Sequence, residues 1–371
     1  MSFLPHQQSQ ILELLRTEGG LSRWQLHERL HLRPNTVGEH VADLLQGRFV
    51  HEKAAETAGP GRPRVPVAID TAHLNVVGAA IRPGHVEACR LNLLGHALGR
   101  TQIKKIEHPE QTIPILAELL VDVINAQTSV VGISTTGFVD LSEQRILFSS
   151  ALPGQKPVPL SPLLEVADGR PLVVDNDMHA LAARWQQEHH QQPDEDVLLI
   201  YLDDGQLGSA LLVKGEPNRG CLVGGNELGH TRLPVETEPC YCGHAGCLER
   251  ICSTQFVCQD DETLLAAVQA FDGTDEAVSR MISLLAMGIA NQVNFIRPHR
   301  VVLVSPFSRY GVFRDAITQQ IRSRVMIELV GRVRIDLADQ PSGGAGEAAG
   351  WLGLAAIYSP HFTNANLLQS V

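Results

Sequence analysis

Three cysteines and a histidine fall within a short stretch, His230-x9-Cys240-x-Cys242-x4-Cys247. Three chemistries use such groups: metal ligation, thiol redox work and ordinary core packing. A Cys-x-Cys pair is one residue short of the Cys-x-x-Cys redox motif, and no such motif occurs in the chain. Four soft or borderline ligands are the complement of a closed tetrahedral zinc site, which leaves no position for a reacting water. Gly243 and Gly246 let the loop turn tightly enough for the sulfurs to converge. The expectation is one structural Zn2+ on His230, Cys240, Cys242 and Cys247. Cys89, Cys221, Cys252 and Cys258 lie outside this spacing and read as small core residues. Glu227 stands three residues before His230, and Glu249 two after Cys247. A metal would pin both carboxylates, which could then accept hydrogen bonds from vicinal sugar hydroxyls. The plainer reading is two solvated surface acids.

A second polar cluster is Asp175-Asn176-Asp177, at the end of the apolar run Leu172-Val173-Val174 and directly before a helical stretch. Polar groups at the ends of α/β strands are where such folds place ligands. They are also helix-capping residues, and one cap would need only one of them.

The elements that would position these groups alternate. Residues 75–95 read as two strands around Pro83-Gly84, 128–140 as a buried strand and glycine turn, and 170–177 as a strand. A helix from about 178, a hairpin over 196–216, a strand–loop–helix over 300–325 and a closing Gly/Ala-rich helix follow. This pattern indicates an α/β fold with mixed sheets, in two lobes.

The first sixty residues differ. Ile11, Leu14 and Leu15 share a helical face that ends at Gly19-Gly20. Ser22 can cap a second helix carrying Leu26 and Leu30, and Pro34 opens a third with Val37, Val41, Leu44 and Leu45 inward. A strand follows Gly47. Three helices and a strand predict a winged helix-turn-helix whose third helix offers Arg33, Asn35, Thr36, Glu39 and His40 to DNA. A small helical domain used for dimer contacts is the plainer reading. Gly59-Pro60-Gly61-Arg62-Pro63-Arg64 reads as an extended linker, whose Arg62 and Arg64 could enter a minor groove.

The net charge of −11 is unevenly spread. Residues 1–66 hold eight Lys/Arg and seven Asp/Glu, against 22 and 34 in the remainder, which is a poor nucleic-acid surface. No apolar run suggests a membrane span and the N-terminus does not read as a secretory signal, so a cytoplasmic protein is expected.

Four stretches together carry a resemblance: Thr135-Thr136-Gly137-Phe138-Val139-Asp140, Asp175-Asn176-Asp177, Asn226-Glu227-Leu228-Gly229-His230-Thr231 and the run from Cys240 to Glu249. With them the chain resembles the ROK family of repressors and sugar kinases over nearly its whole length. The winged helix in front makes it similar to the sugar-responsive repressor branch, the NagC/Mlc type. The resemblance implies a two-lobed, actin-like (ribonuclease H-like) fold. It implies a winged domain at 1–66, a first lobe at 67–177 completed by a C-terminal helix at about 345–371, and a second lobe at 178–344 carrying the zinc loop. It implies sugar contacts from Gly137, Asn176, Asp177, Glu227, His230 and Glu249. In kinase members the residue at Asp177 is the general base.

Departures from the kinase pattern weigh against phosphoryl transfer. The Asp-x-Gly-Gly-Thr phosphate turn is replaced by Ala79-Ala80-Ile81-Arg82-Pro83-Gly84, a second phosphate loop by Asp204-Gly205-Gln206, and the adenosine turn by Ser305-Pro306-Phe307-Ser308. A base without a phosphate cradle has nothing to direct its nucleophile at. The expectation is a repressor that binds a double-stranded DNA operator and a sugar or sugar derivative, as a homodimer or homotetramer, with Asp177 a vestigial base. The alternatives are an ATP-dependent sugar kinase with a DNA-binding appendage, and a regulator controlled by a transporter subunit.

Overall fold

The computed structural model describes residues 4–54, 64–152, 154, 156–189, 195–220, 225–258, 262–359 and 367–368. The chain divides into two compact units, Met1–His190 with Gly343–Val371, and Gln191–Ser342.

The first unit opens with α1 (His6–Glu18), β1 (Leu21–Ser22), α2 (Arg23–Leu30), α3 (Pro34–Gln46), β2 (Val50–Glu52) and β3 (Pro66–Ile69). Ser22 and Gln25 form the capping box of α2, each side chain bonding the other's backbone N–H. Pro34 begins α3. Ile11, Leu12, Leu15, Leu26, Val37, Val41 and Leu44 fill the core between the helices. Leu12 takes the buried place expected of Leu14, which is half-buried. The boundary at 66 needs correction. Val67 pairs with both Glu52 and Leu21, so β3 is the middle strand of a β1-β3-β2 sheet. The winged sheet thus runs to Ile69 rather than stopping at 66, and residues 59–63 of the Gly/Pro/Arg segment lie outside the described residues. Arg64 is exposed, and Arg62 lies outside the described residues.

The unit continues with β4 (Asn75–Arg82), β5 (His85–Asn92), β6 (Gln102–Lys105), α4 (Thr112–Val123), β7 (Thr128–Thr135), β8 (Phe138–Asp140), β9 (Arg145–Phe148), β10 (Val158–Pro159), α5 (Ser161–Ala167), β11 (Leu172–Asn176) and α6 (Asp177–His189). Strands β4, β7 and β11 are almost wholly buried, as strands covered on both faces must be.

The second unit holds β12 (Val197–Asp203), β13 (Gln206–Val213), β14 (Glu216–Pro217), α7 (Leu248–Ile251), α8 (Thr254–Val257), α9 (Leu264–Ala270), α10 (Glu276–Ile296), β15 (Arg300–Val304), α11 (Gly311–Arg322) and β16 (Arg334–Ala338). Its sheet runs β14-β13-β12-β15-β16, with β12, β15 and β16 parallel. The longest helix, α10, is capped by Asp275, whose carboxylate accepts from Val278 N at 2.8 Å.

The chain then returns to the first unit as α12 (Ala345–Tyr358) and β17 (Leu367–Leu368). These complete a six-stranded sheet of order β17-β11-β7-β4-β5-β6. The closing helix ends at Tyr358 instead of continuing toward 371, because Pro360 disfavours helical geometry in the residue before it. The Gly/Ala face of α12 lies against β4 and β7, and its side against α6. That packing keeps α6 in the first unit, although the sequence reading opened the second lobe at residue 178.

Candidate functional site

Register brings the first cluster together. Ile81 and Asn176 both pair with Thr135, so the ends of β4, β7 and β11 are level. Arg82, Gly137 and Asn176-Asp177 follow at that common edge. Gly137 has φ +85°, and a Cβ there would lie 2.3 Å from the Phe148 carbonyl oxygen, so the position requires glycine. Asn176 fixes this turn: its Nδ2 donates to the Gly137 carbonyl at 2.9 Å, while its Oδ1 accepts from Met178 N at 2.7 Å and caps α6. The capping role weighed in the sequence is thus filled by Asn176, which leaves Asp177 at the start of the helix. Asp175 accepts from Asn176 N and pairs with His179 Nδ1 at 2.7 Å, both side chains buried.

Asp177 has a partner that the motifs did not reveal. Arg82 Nη1 donates to Asp177 Oδ2 at 3.0 Å. Burial pushes the Asp177 carboxyl above its ordinary value, with Arg82 pulling it back. The signal in the sequence was an arginine in the turn read as departing from the kinase pattern; its partner depended on the β4–β7–β11 register.

In the second unit the four predicted ligands converge. The ligating atoms of His230, Cys240, Cys242 and Cys247 all lie within 4.8 Å of one another. Cys242 Sγ is 3.5 Å from Cys247 Sγ, and Cys240 Sγ is 3.5 Å from His230 Nδ1. A tetrahedral zinc with Zn–S bonds of about 2.3 Å spaces its ligands about 3.7 Å apart, so the donor set and its spacing fit a metal ion. Burial raises the thiols of Cys240 and Cys247, the latter to about 12. Burial works against Cys242 too, but hydrogen bonding from the His244 backbone and the neighbouring thiols brings it below its usual value. A bound cation would favour the thiolate at all three. The loop is shaped by Gly246, whose φ of +82° and close approach to the Leu233 carbonyl exclude a side chain. Leu233 N donates to Gly246 O, and Leu248 N to Thr231 O, tying the two ligand-bearing segments together.

The two flanking carboxylates are held differently. His230 turns Nδ1 toward the cysteines and Nε2 toward Glu227, whose Oε2 is 3.8 Å away. Glu227 is exposed, whereas Glu249 is buried at the start of α7 and accepts from Leu207 N at 3.4 Å. Two equally solvated surface acids is therefore not the arrangement found.

The residues expected from the sequence to stand in place of kinase loops have structural partners. Asp204 accepts from Thr254 N at 2.7 Å and from Thr254 Oγ1 at 2.5 Å. Phe307 is fully buried, 5.8 Å from the Phe313 ring centre. On the winged domain, Arg33, Asn35 and Glu39 are exposed at the start of α3. Thr36 and His40 are half-buried, and His40 Nδ1 is buried without a partner.

Residues 80–360 match the ROK family. The chain belongs to the ROK family. A crystal structure of a ROK family transcriptional regulator, a homologue of the Escherichia coli Mlc protein, is similar over 95% of this chain and 96% of that one, with a TM-score of 0.79 at 19% identity. The xylose repressor of Caldicellulosiruptor bescii is 22% identical, covering 86% of this chain and 88% of its own. The N-acetyl-D-glucosamine kinase of Erwinia tasmaniensis is 29% identical over 53% of this chain and 71% of its own. The two-lobed, actin-like ROK fold expected from the sequence is the one found, with a winged helix-turn-helix at its front. No helix among the described residues is long and apolar enough to cross a membrane.

Proposed function

We propose that this ROK protein is a DNA-binding transcriptional repressor whose ROK domain binds a sugar as effector and does not phosphorylate it. The observation that carries the reading is the winged helix-turn-helix joined to a ROK fold, with the base-contacting start of α3 exposed. Arg33, Asn35, Thr36, Glu39 and His40, with Arg62 and Arg64, are the proposed DNA contacts. The residues proposed to touch the sugar are Gly137, Asn176 and Asp177 in the first unit and Glu227, His230 and Glu249 in the second. His230, Cys240, Cys242 and Cys247 would hold one zinc ion, which supplies no chemistry to the sugar and braces the segments carrying both glutamates.

The absence of phosphoryl transfer is supported by Arg82. Its guanidinium engages the carboxylate that would otherwise take the proton from a sugar hydroxyl. A carboxylate so engaged is a poorer base, and a phosphate cradle is missing from the neighbouring turn. Asp204 and Phe307 occupy the other two departures as a cap and a core residue.

Purified protein should bind DNA from upstream of its own gene in a sequence-selective manner, and one sugar of a broad panel should change that affinity. Binding without selectivity counts against the reading. The kinase reading keeps one specific observation in its favour, the retention of Asp177 in a chain related to sugar kinases. A coupled ADP-release assay separates the two: turnover that disappears in Asp177→Ala establishes the kinase.

A further inference from the structure

Arg16 belongs to α1 of the winged domain, yet its side chain is only 7% exposed. Its Nη1 donates to the carbonyl oxygen of Gln187, in the last turn of α6, at 2.9 Å. Its guanidinium lies 5.4 Å from the ring centre of Tyr358, the last residue of α12. Nε and Nη2 fork onto Glu13 at 2.9 and 2.7 Å. The groups it touches are fixed in turn. Tyr358 is buried and its hydroxyl donates to the Leu93 carbonyl at 2.5 Å, while the Gln187 amide donates to Ser359 Oγ at 3.2 Å.

The last carbonyls of a helix have no intrahelical partner and carry partial negative charge. Arg16 therefore caps α6 from outside, and does so from the DNA-binding domain. The opposite end of α6 is Asp177, capped by Asn176 at the edge where β4, β7 and β11 end. Thirteen helical residues make a rod about 20 Å long. A buried guanidinium held by a carboxylate, a carbonyl and an aromatic face has little freedom to adjust. If α6 moves, Arg16 must draw α1 with it or lose the bond to Gln187. Helix α1 packs directly on α3, with Gln8 Nε2 donating to Asp43 Oδ2 at 3.1 Å.

We propose that Arg16 is the coupling residue of this repressor: it passes a displacement of α6, set by a sugar at Asn176 and Asp177, through α1 to the DNA-reading helix α3. The inference rests on the effector reading above and adds the route by which the two sites are linked. Coupling between sites in allosteric proteins is commonly about 5- to 150-fold in affinity, and this contact would carry most of it.

The test uses the full chain, DNA from upstream of its gene, and a panel of pentoses, hexoses, amino sugars and their phosphates. Wild-type protein should show a sugar-dependent change in DNA affinity by fluorescence anisotropy. Arg16→Met keeps the length of the side chain and removes the cap and the charge. In it the sugar should bind with affinity within about twofold of wild type by calorimetry, while the change in DNA affinity collapses toward onefold. Hydrogen exchange supplies a readout that a merely structural contact would not move. Sugar-induced changes should persist at the start of α6 and vanish from α1. Should Arg16→Met fail to fold, Arg16→Lys retains the charge but cannot fork onto Glu13 while reaching Gln187, and its response should be partly lost. A wild type silent to every sugar removes the effector reading and this inference with it. A responsive wild type whose variants respond as fully, or lose sugar affinity in parallel, removes this inference alone.

Discussion

Arg82 alters what Asp177 can do, and the ion pair makes a pH-dependent claim. Burial raises the Asp177 carboxyl above the value it has in an unfolded chain, with Arg82 the strongest group opposing the rise. A carboxyl raised by folding disfavours the native state wherever it is ionised, and that penalty fades as pH falls through the raised value. Arg82→Gln removes the opposing charge. At pH 7 the variant should be less stable than wild type by about 1–3 kcal/mol. The difference should narrow as Asp177 becomes protonated in both proteins. Urea melts at pH 7 and in the carboxylate range test this; a gap independent of pH would show that the pair is not ionic in its effect. Gly137→Ala makes a separate claim at the same edge. The substitution forces a left-handed backbone on alanine and sets its Cβ against the Phe148 carbonyl. A loss of about 1–3 kcal/mol is expected from the strained backbone, more if the contact cannot relax. Sugar binding should weaken as Asn176 loses its anchor on that turn.

At the scale of elements, the proposed zinc site would make the cysteine loop a clamp on two short segments. Zinc analysis should find one ion per chain, and Cys242→Ser should abolish it. Hydrogen exchange in that variant should rise over residues 227–252 while α1, α2 and α3 keep their protection. Unchanged protection with the metal gone would mean that the ladder between Thr231–Leu233 and Gly246–Leu248 suffices on its own. This loop was legible in the sequence because its ligands are close neighbours in the chain and zinc demands their types. The same holds for the Ser22 cap of α2, the strand running into α6 and the Gly/Ala-rich α12, all marked by local punctuation. What stayed hidden depends on residues far apart. The place of β3 in the wing required pairing with both β1 and β2, across a Gly/Pro/Arg segment that locally reads as a linker. The Arg82–Asp177 pair spans 95 residues, and Arg16 reaches Gln187 across 171. No local pattern encodes either partner, since each is chosen by sheet order and helix packing.

At the scale of the whole molecule, charge would confine the proposed DNA binding to a small surface. The chain carries −11 overall, with acidic residues in excess beyond residue 66. Of the basic residues in the winged domain, Arg16 is turned inward, and Arg23 and Arg29 are ion-paired with Glu52 and Glu18. Arg33, Arg48, Lys53 and Arg64 are exposed. If these four meet phosphates, counterion release predicts that the logarithm of the binding constant falls with the logarithm of salt at a slope of about −3 to −4 per winged domain, and about twice that for two domains on two half-sites. Arg33→Ala should reduce the slope by about one and weaken all DNA sequences alike. Asn35→Ala should leave the slope unchanged and relax selectivity at one base position, because an uncharged amide releases no counterion and is suited to pairing with a base edge. Anisotropy titrations at several salt concentrations, on matched and scrambled DNA, separate these outcomes. A slope unmoved by Arg33→Ala would place the electrostatic contact elsewhere on the chain. The acidic excess beyond residue 66 leaves the proposed DNA binding little to gain from non-specific attraction, so its selectivity would rest on the few polar side chains of α3 proposed as base contacts.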